Sequence, residues 1–399
     1  MIKRILLTAF VASAMTLPVS AAPTDAQAPT DAQAPTDAQA ATDAQAARDA
    51  QAARDATIVQ TILRLKGIDV DGTPKLKAAV LRHLKTLEGQ PKYVNLIKSL
   101  KVRGVEAELL RLAIQQPDST AGVGAAEILL DYKEDKRLND VIQGTDEGLA
   151  ANAIGVLGRV GSPQALQLIQ PLVSDLKNSR VVRTAAARAV GRNLIGQRFL
   201  LECVAKGELP QDLNFAVADA LFASTDKEIR LRAAKYLTLP AAAEGVPLPP
   251  VAELVKLTGN ASRGQQLFKT TATCIKCHKV RGEGKEVGPD LSEIGSKLSR
   301  EAMFVSILDP SAGISHNYES YSAILESGNV VTGIIVSRTD EQVTLRNAEA
   351  IDKTYQMSEV EELIKSTVSI MPADLQKSMS VRDLVDVVEF MTTLKKVAR

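Results

Sequence analysis

Residues 274–278 read Cys-Ile-Lys-Cys-His, and this stretch decides how the C-terminal part of the chain is expected to fold. Two thiols three positions apart can form thioether bonds to the two vinyl groups of a haem, and the adjoining imidazole can bind its iron. One turn of helix brings Cys274 and Cys277 onto one face, at the separation that the rigid haem ring requires. The motif therefore predicts one covalently attached haem c, with His278 as an iron ligand.

Two other interpretations of the motif are open: a redox-active CxxC pair beside an unrelated histidine, and one half of a zinc site. A structural zinc site needs four ligands, and the third cysteine, Cys203, lies far away in an apolar helical stretch. A thioredoxin-like pair would lie in a βαβ pattern, which does not surround this motif. We therefore favour haem attachment and expect Cys203 to be a buried structural thiol.

The sequence on either side of the motif supplies further elements in a fixed order. Residues 262–270 predict a helix in which Gly264 allows close approach to a second helix and Phe268 fills the crossing. Apolar residues at helical spacing predict that second helix over residues 380–395. Together with a Gly-Pro-Asp-Leu turn and a Met-Pro loop between the helices, this order resembles a class I cytochrome c.

Residues 259–399 resemble more closely the haem-binding domain found in planctomycetes and verrucomicrobia. The segments that carry this resemblance are Val287–Gly295, Ser306–Ala312 and the Ser-Ile-Met-Pro loop that ends at Pro372. The resemblance implies that the carbonyl of Pro289 accepts a hydrogen bond from the ligand histidine, which would fix its tautomer. It also implies a redox partner protein, since members of the family often occur beside predicted dehydrogenases.

The sixth iron ligand has several candidates. Met371 precedes Pro372, which would hold the loop rigid with the sulfur facing the iron, and the resemblance assigns the ligand role to this methionine. Met357 and Met379 lie in less constrained settings, His316 offers a nitrogen ligand, and a site open to water is the remaining alternative. A thioether stabilises Fe(II) and raises the reduction potential relative to a second histidine.

Length and composition limit the rest of the chain. The 399 residues should form more than one domain, and the absence of tryptophan with 3% aromatic residues predicts an aliphatic core. Alanine and leucine dominate the composition, which favours helices. A net charge of +1 argues against a nucleic-acid partner, which would require a strongly basic face.

The N-terminal residues 1–21 predict a signal peptide, with Lys3 and Arg4 before an apolar run and Val-Ser-Ala at the cleavage site. The apolar run is too short for a confident membrane span, so we expect no span after cleavage. Because haem c is attached outside the cytoplasmic membrane, the signal and the motif together predict a periplasmic protein. Residues 22–56 repeat the hexad Pro-Thr-Asp-Ala-Gln-Ala and predict a linker that turns helical after Pro35.

Residues 57–245 predict a HEAT-like α-solenoid, because short amphipathic helices alternate with glycine breaks. Three segments resemble one another and suggest repeats: Leu149–Gly158, Arg183–Gly191 and Arg230–Leu237. Residues 246–258, rich in proline, predict a linker to the domain at residues 259–399.

Within that last domain, alternating residues at about 318–356 predict an inserted antiparallel β-meander, which would be either a lid over the haem edge or a docking surface. The fold class is therefore mainly α, a helical solenoid followed by a cytochrome c domain with a small sheet. The expected function is one-electron transfer rather than catalysis, with the solenoid as a scaffold for partner proteins. A peroxidase with an open iron position and a haem-based redox or gas sensor are the alternatives.

Overall fold

The computed structural model describes residues 37–65 and 67–396 of the chain. The described residues up to Thr57 and those from Ile58 onward form two compact units. The described residues contain seventeen α-helices and five β-strands, so the fold is mainly helical with a small sheet. Among these helices, none combines the length and the apolar character that crossing a membrane requires.

The predicted signal peptide, residues 1–21, and the first part of the predicted linker, residues 22–36, lie outside the described residues. The rest of the linker is helical, as expected after its last proline, and belongs to helix α1 (Asp37–Arg64). Gln45 donates a hydrogen bond to Asp49 at 2.9 Å, and the same pair recurs one hexad later. Such pairs four residues apart stabilise the hexad part of this helix, which has no apolar face to bury, whereas Val59 and Ile62 nearer its end lie in the first core.

Eleven helices make up the part of the chain predicted as a solenoid. They are α2 (Pro74–Lys85), α3 (Pro91–Leu100), α4 (Glu106–Gln115), α5 (Thr120–Asp131), α6 (Asp135–Ile142), α7 (Glu147–Val160), α8 (Pro163–Ile169), α9 (Arg180–Val190), α10 (Leu194–Lys206), α11 (Asn214–Phe222) and α12 (Lys227–Ala233). Alternate helices pack on one another in chain order, from α3 through α5, α7 and α9 to α11. Packing of this kind is typical of stacked helical pairs. One continuous aliphatic core runs through them and includes residues of α10. Cys203 of this helix is buried, as expected.

The first two predicted repeat copies, Leu149–Gly158 and Arg183–Gly191, lie in α7 and α9, which pack together. A Cβ atom at Gly158 would come within 2.6 Å of the Ala189 Cβ, so small residues allow this close approach. The third copy, Arg230–Leu237, begins in α12, which packs against α10 and α11. Helix α11, which precedes the third copy, packs on α9, so the third copy does not follow α7 and α9 in the series of alternate helices.

An ion pair joins α9 to the turn before α11. The guanidinium of Arg183 donates to both carboxylate oxygens of Asp212, at 2.8 and 2.7 Å, and its side chain is only 9% exposed. The hydrogen bonds from Arg183 hold the pKa of Asp212 below its usual value. Charge-assisted bidentate pairs of this kind are stronger and more directional than neutral hydrogen bonds.

We expect the substitution Asp212→Asn to lower the free energy of unfolding by about 2–3 kcal/mol at neutral pH, because Arg183 would lose its charged partner. A folded-state pKa below the unfolded value of about 3.9 means that the pair stabilises the protein above that pH. The stabilisation is lost as the pH falls through the folded-state pKa, so the difference between wild type and variant should shrink in acid. Urea unfolding at neutral pH and near the acid limit of stability measures both values.

The matched control is Asp140→Asn, which breaks the exposed pair with Lys136 and should change the free energy of unfolding by less than about 0.5 kcal/mol. An equal loss of stability for Asp212→Asn at both pH values would contradict the assigned role of the charge.

The remaining helices build the C-terminal part around a second core. They are α13 (Val251–Leu254), α14 (Ala261–Lys269), α15 (Ile294–Lys297), α16 (Arg300–Leu308) and α17 (Val381–Thr393). Asn260 caps α14 by accepting a hydrogen bond from the Arg263 backbone amide, and Ser380 caps α17 in a capping box. Helix α14 packs across α17, as the sequence predicts.

The crossing of α14 and α17 has the predicted residues at its centre. A Cβ atom at Gly264 would come within 1.9 Å of the Asp386 carbonyl oxygen, so the backbones approach as closely as glycine permits. The rings of Phe268 and Phe390 meet edge to face with their centroids 5.6 Å apart. The fully buried carboxylate of Asp386 accepts a hydrogen bond from the Asn260 backbone amide at 2.7 Å. It also forms an ion pair with the Arg263 guanidinium.

The stretch predicted as a linker, residues 246–258, contributes Leu248, Val251 and Leu254 to this second core. The backbone amide of Val251 also donates to the Asp219 carboxylate of α11 at 2.6 Å. The connection is therefore packed, and the boundary predicted there lies inside the compact unit.

The sheet contains β1 (Ser320–Leu325), β2 (Val330–Arg338), β3 (Gln342–Arg346), β4 (Asp352–Gln356) and β5 (Val360–Lys365), all antiparallel in the order β4-β3-β2-β1-β5. The first four strands agree with the predicted meander. The fifth strand lies beyond the predicted end of the insertion and pairs with β1, with Tyr321 opposite Lys365. Its exposed, acidic sequence gives only a weak alternation, which explains why the periodicity did not reveal it.

Candidate functional site

The CxxCH motif forms a single 3-10 turn directly after α14. The amides of Cys277 and His278 both donate to the Cys274 carbonyl, at 3.1 and 2.9 Å. The turn places both thiols and the imidazole on the lining of one cavity. The sequence expectation that one helical turn brings these groups together is therefore met.

This cavity lies in the C-terminal part of the chain, and its empty space is about 980 Å³ when its open mouth is included. Pockets that enclose cofactors are lined mainly by hydrophobic side chains. Its walls come from α14, the motif, the Gly-Pro-Asp-Leu turn, the segment after α16, the loop before α17 and α17 itself. The lining residues that the sequence singled out are Phe268, Cys274, Cys277, His278, Gly288, Pro289, Leu291 and Met371.

The imidazole of His278 is held from behind by backbone. Its Nδ1 lies 2.8 Å from the Pro289 carbonyl oxygen, which is the contact that the resemblance implied. A carbonyl only accepts, so Nδ1 carries the proton and Nε2 keeps its lone pair free for a metal. Burial lowers the pKa of His278, which keeps the ring neutral at physiological pH.

Glycine at position 288 is required by the same ring. A Cβ atom there would lie 2.4 Å from Cε1 and 2.8 Å from Nδ1 of His278. The imidazole therefore packs flat against the Gly288 backbone, and the turn fixes both its position and its orientation.

Further along the chain, Met371 also lines the cavity. Its amide donates to Ser369 Oγ at 3.2 Å, and the Ser369 amide donates to Ser311 Oγ at 3.0 Å. These bonds hold the loop that presents the thioether.

The other sixth-ligand candidates lie elsewhere. Met357 packs against the small core of the sheet, and Met379 is buried in the second core without lining the cavity. The side chain of His316 is 89% exposed and lies 3.9 Å from Glu319. Of the four residues weighed from sequence, Met371 alone is brought to the cavity that contains His278.

The structure adds lining residues that reasoning from residue types missed. The segment from Ser306 to Tyr318 forms much of one wall, through Pro310 and Ile314 among others. Met391 of α17 also lines the cavity, although its sequence pattern indicated only a core position. Their recruitment depends on how α16 and α17 pack, which no local motif encodes.

The two thiols do not resemble those of a redox-active pair. Burial raises the pKa of Cys274 to about 12 and also raises the pKa of Cys277. Reactive CxxC cysteines depend on the thiolate, which a lowered pKa favours. Among the described residues, moreover, no group of three or more His, Cys, Asp or Glu side chains could hold a metal ion.

Comparison with known families supports the haem interpretation. Residues 261–323 match the family model for cytochrome c. The matched segment contains α14, the CxxCH turn and Pro289 of the Gly-Pro-Asp-Leu turn, and it ends within β1. The cytochrome c domain supports a c-type cytochrome with covalently bound haem c and its iron, and haem-based electron transfer in general. No curated protein matches the chain.

The residues present fit a haem of this type. The cavity is mostly apolar, and both thiols line it. His278 keeps its free lone pair on Nε2, because its Nδ1 is hydrogen-bonded to the Pro289 carbonyl. A haem bound there supplies an iron centre that gains and loses one electron.

Proposed function

We propose that the protein is an exported, periplasmic, mono-haem c-type cytochrome that transfers single electrons, with iron held by His278 and Met371. The observation that carries this proposal is that His278, Met371 and both motif cysteines line one cavity. If His278 and Met371 both held the iron, no substrate could bind it, and electron transfer would be the remaining chemistry.

The character of the cavity favours electron transfer over the alternatives. None of the residues that line it is Asp, Glu, Lys or Arg, whereas a peroxidase needs a distal acid–base pair such as histidine with arginine. The exposed His316 is not in a position to serve as that distal base. An apolar, ligand-filled site instead suits a haem that changes charge with little rearrangement of its surroundings.

The partner in this proposal is a redox protein, donor or acceptor, with a periplasmic dehydrogenase as the type that the family resemblance implies. The helices of residues 57–245 would act as its docking scaffold, because stacked helical pairs present long continuous surfaces to partners.

Replacement of Met371 by alanine tests the proposed ligation. We expect the oxidised wild type to show the weak absorption band at the red end of the visible spectrum that sulfur bound to iron(III) produces. Met371→Ala should abolish this band and lower the reduction potential by on the order of 0.1 V or more, because the thioether stabilises the reduced iron.

Met391→Leu is the matched control, since Met391 lines the same cavity but belongs to α17. It should keep the band and shift the potential little. A wild type that lacks the band and binds carbon monoxide or peroxide readily would overturn the proposal and favour the sensor or peroxidase alternative.

A further inference from the structure

The loop that carries Met371 is anchored through two serines. The Met371 amide donates to Ser369 Oγ at 3.2 Å, and the Ser369 amide donates to Ser311 Oγ at 3.0 Å. Ser311 is only 6% exposed, so its hydroxyl has little opportunity to exchange this partner for water. The position of Met371 therefore depends on where the segment around Ser311 lies.

The segment around Ser311 is itself a tight turn that begins at Asp309. The Ala312 amide donates to the Asp309 carbonyl at 3.0 Å, which closes the turn. Asp309 is not among the residues that line the cavity, and its carboxylate accepts a hydrogen bond from Arg180 at 2.8 Å. Arg180 is the first residue of α9, so this contact joins the helical part of the chain to the turn beside the cavity.

The contact between Arg180 and Asp309 is buried. The Asp309 side chain is 7% exposed, and its Oδ2 atom is buried without a hydrogen-bond partner. The same Arg180 nitrogen also donates to the Asp212 carbonyl at 3.2 Å, which fixes the guanidinium in place. The charge of Arg188 also acts on Asp309, at longer range than the direct pair with Arg180. Without Arg180 the buried carboxylate would lose its direct partner, so the turn would have to move or rearrange to hydrate it.

We propose that Arg180 and Asp309 are positioning residues for the Met371 ligand, and this inference rests on the proposed His278 and Met371 ligation. A relay of hydrogen bonds runs from Arg180 through Asp309, its turn and Ser369 to the ligand loop. The helical part of the chain thus sets the strength of the bond between sulfur and iron, beyond its role as a docking scaffold.

The test uses the full-length, haem-loaded protein and the variant Arg180→Gln. Imidazole added to the oxidised protein competes with the sulfur ligand, so its apparent affinity reports how firmly the loop holds Met371. We expect about a tenfold increase in imidazole affinity, which corresponds to about 1.4 kcal/mol, and a weaker sulfur-to-iron absorption band. Complete loss is not expected, because Ser320 Oγ also holds the loop through the Val368 carbonyl at 2.7 Å.

Arg198→Gln is the matched control, because Arg198 lies on α10 and pairs loosely with Asp226 at 3.7 Å, with its side chain 69% exposed. It should leave both measurements unchanged. If Arg180→Gln behaves like this control while the wild type shows sulfur ligation, the relay is refuted and the proposed function stands. If Met371→Ala leaves the wild-type spectrum unchanged, the proposed ligation itself fails.

A second variant covers the case in which Arg180→Gln does not fold. Ser311→Ala removes the acceptor of the Ser369 amide and leaves the ion pair of Arg180 intact. It should raise the imidazole affinity several-fold through the last part of the same relay. A wild-type affinity in Ser311→Ala would show that the turn does not position Met371.

Discussion

Replacing Cys274 and Cys277 together by alanine is expected to abolish the haem that stays with the chain after denaturation. The two thiols line the cavity and are the atoms that would form thioethers with the haem vinyl groups. Without them, haem would be held only by His278, Met371 and apolar contacts, all of which are lost on unfolding. Haem-dependent staining of the denatured protein after electrophoresis measures the change, from a strong signal to close to none.

The third cysteine provides the matched control. Cys203 is 5% exposed in α10, within the helical part of the chain, and burial raises its pKa. Cys203→Ala should keep the full covalent haem content. Retention of covalent haem in the double variant, or its loss in Cys203→Ala, would show that the attachment site has been assigned to the wrong cysteines.

The geometry of the proposed attachment site could be anticipated from sequence because it is local. Five consecutive residues form one turn, and the histidine is oriented by Pro289, which is only eleven positions further along the chain. The α14 and α17 crossing was also predictable, since each helix has its own apolar period and the glycine and phenylalanine mark the contact.

Other parts of the structure depend on long-range contacts that no short window of sequence reports. Arg180 and Asp309 are 129 positions apart, and neither has a distinctive local pattern. The order of packing in the helical stack is another example, because α11 and α12 are both short and alanine-containing, and only their packing shows that α11 lies on α9. The fifth strand escaped notice because its edge position exposes charged residues and so removes the expected alternation.

The tight contact between α14 and α17 leads to the second large expected effect. Gly264→Ala should lower the free energy of unfolding by about 3 kcal/mol or more. The added methyl group would collide with backbone atoms, which cannot move aside as a flexible side chain can. The new Cβ would lie 1.9 Å from the Asp386 carbonyl oxygen and 3.0 Å from the Phe390 Cβ. The helices would have to separate, which would also disturb the edge-to-face contact between Phe268 and Phe390.

Gly155→Ala is the matched control for this prediction. Gly155 lies inside α7, and a Cβ atom there would meet nothing within 4 Å. Alanine should therefore raise the free energy of unfolding by about 0.5–1 kcal/mol, through its better helix propensity alone. Urea unfolding of both variants separates helix propensity from overpacking. Helix propensity favours alanine over glycine in both helices, so only overpacking at the crossing of α14 and α17 can make alanine destabilising. If Gly264→Ala were as stable as Gly155→Ala, the two helices would not be in the close contact that sets the shape of the haem cavity.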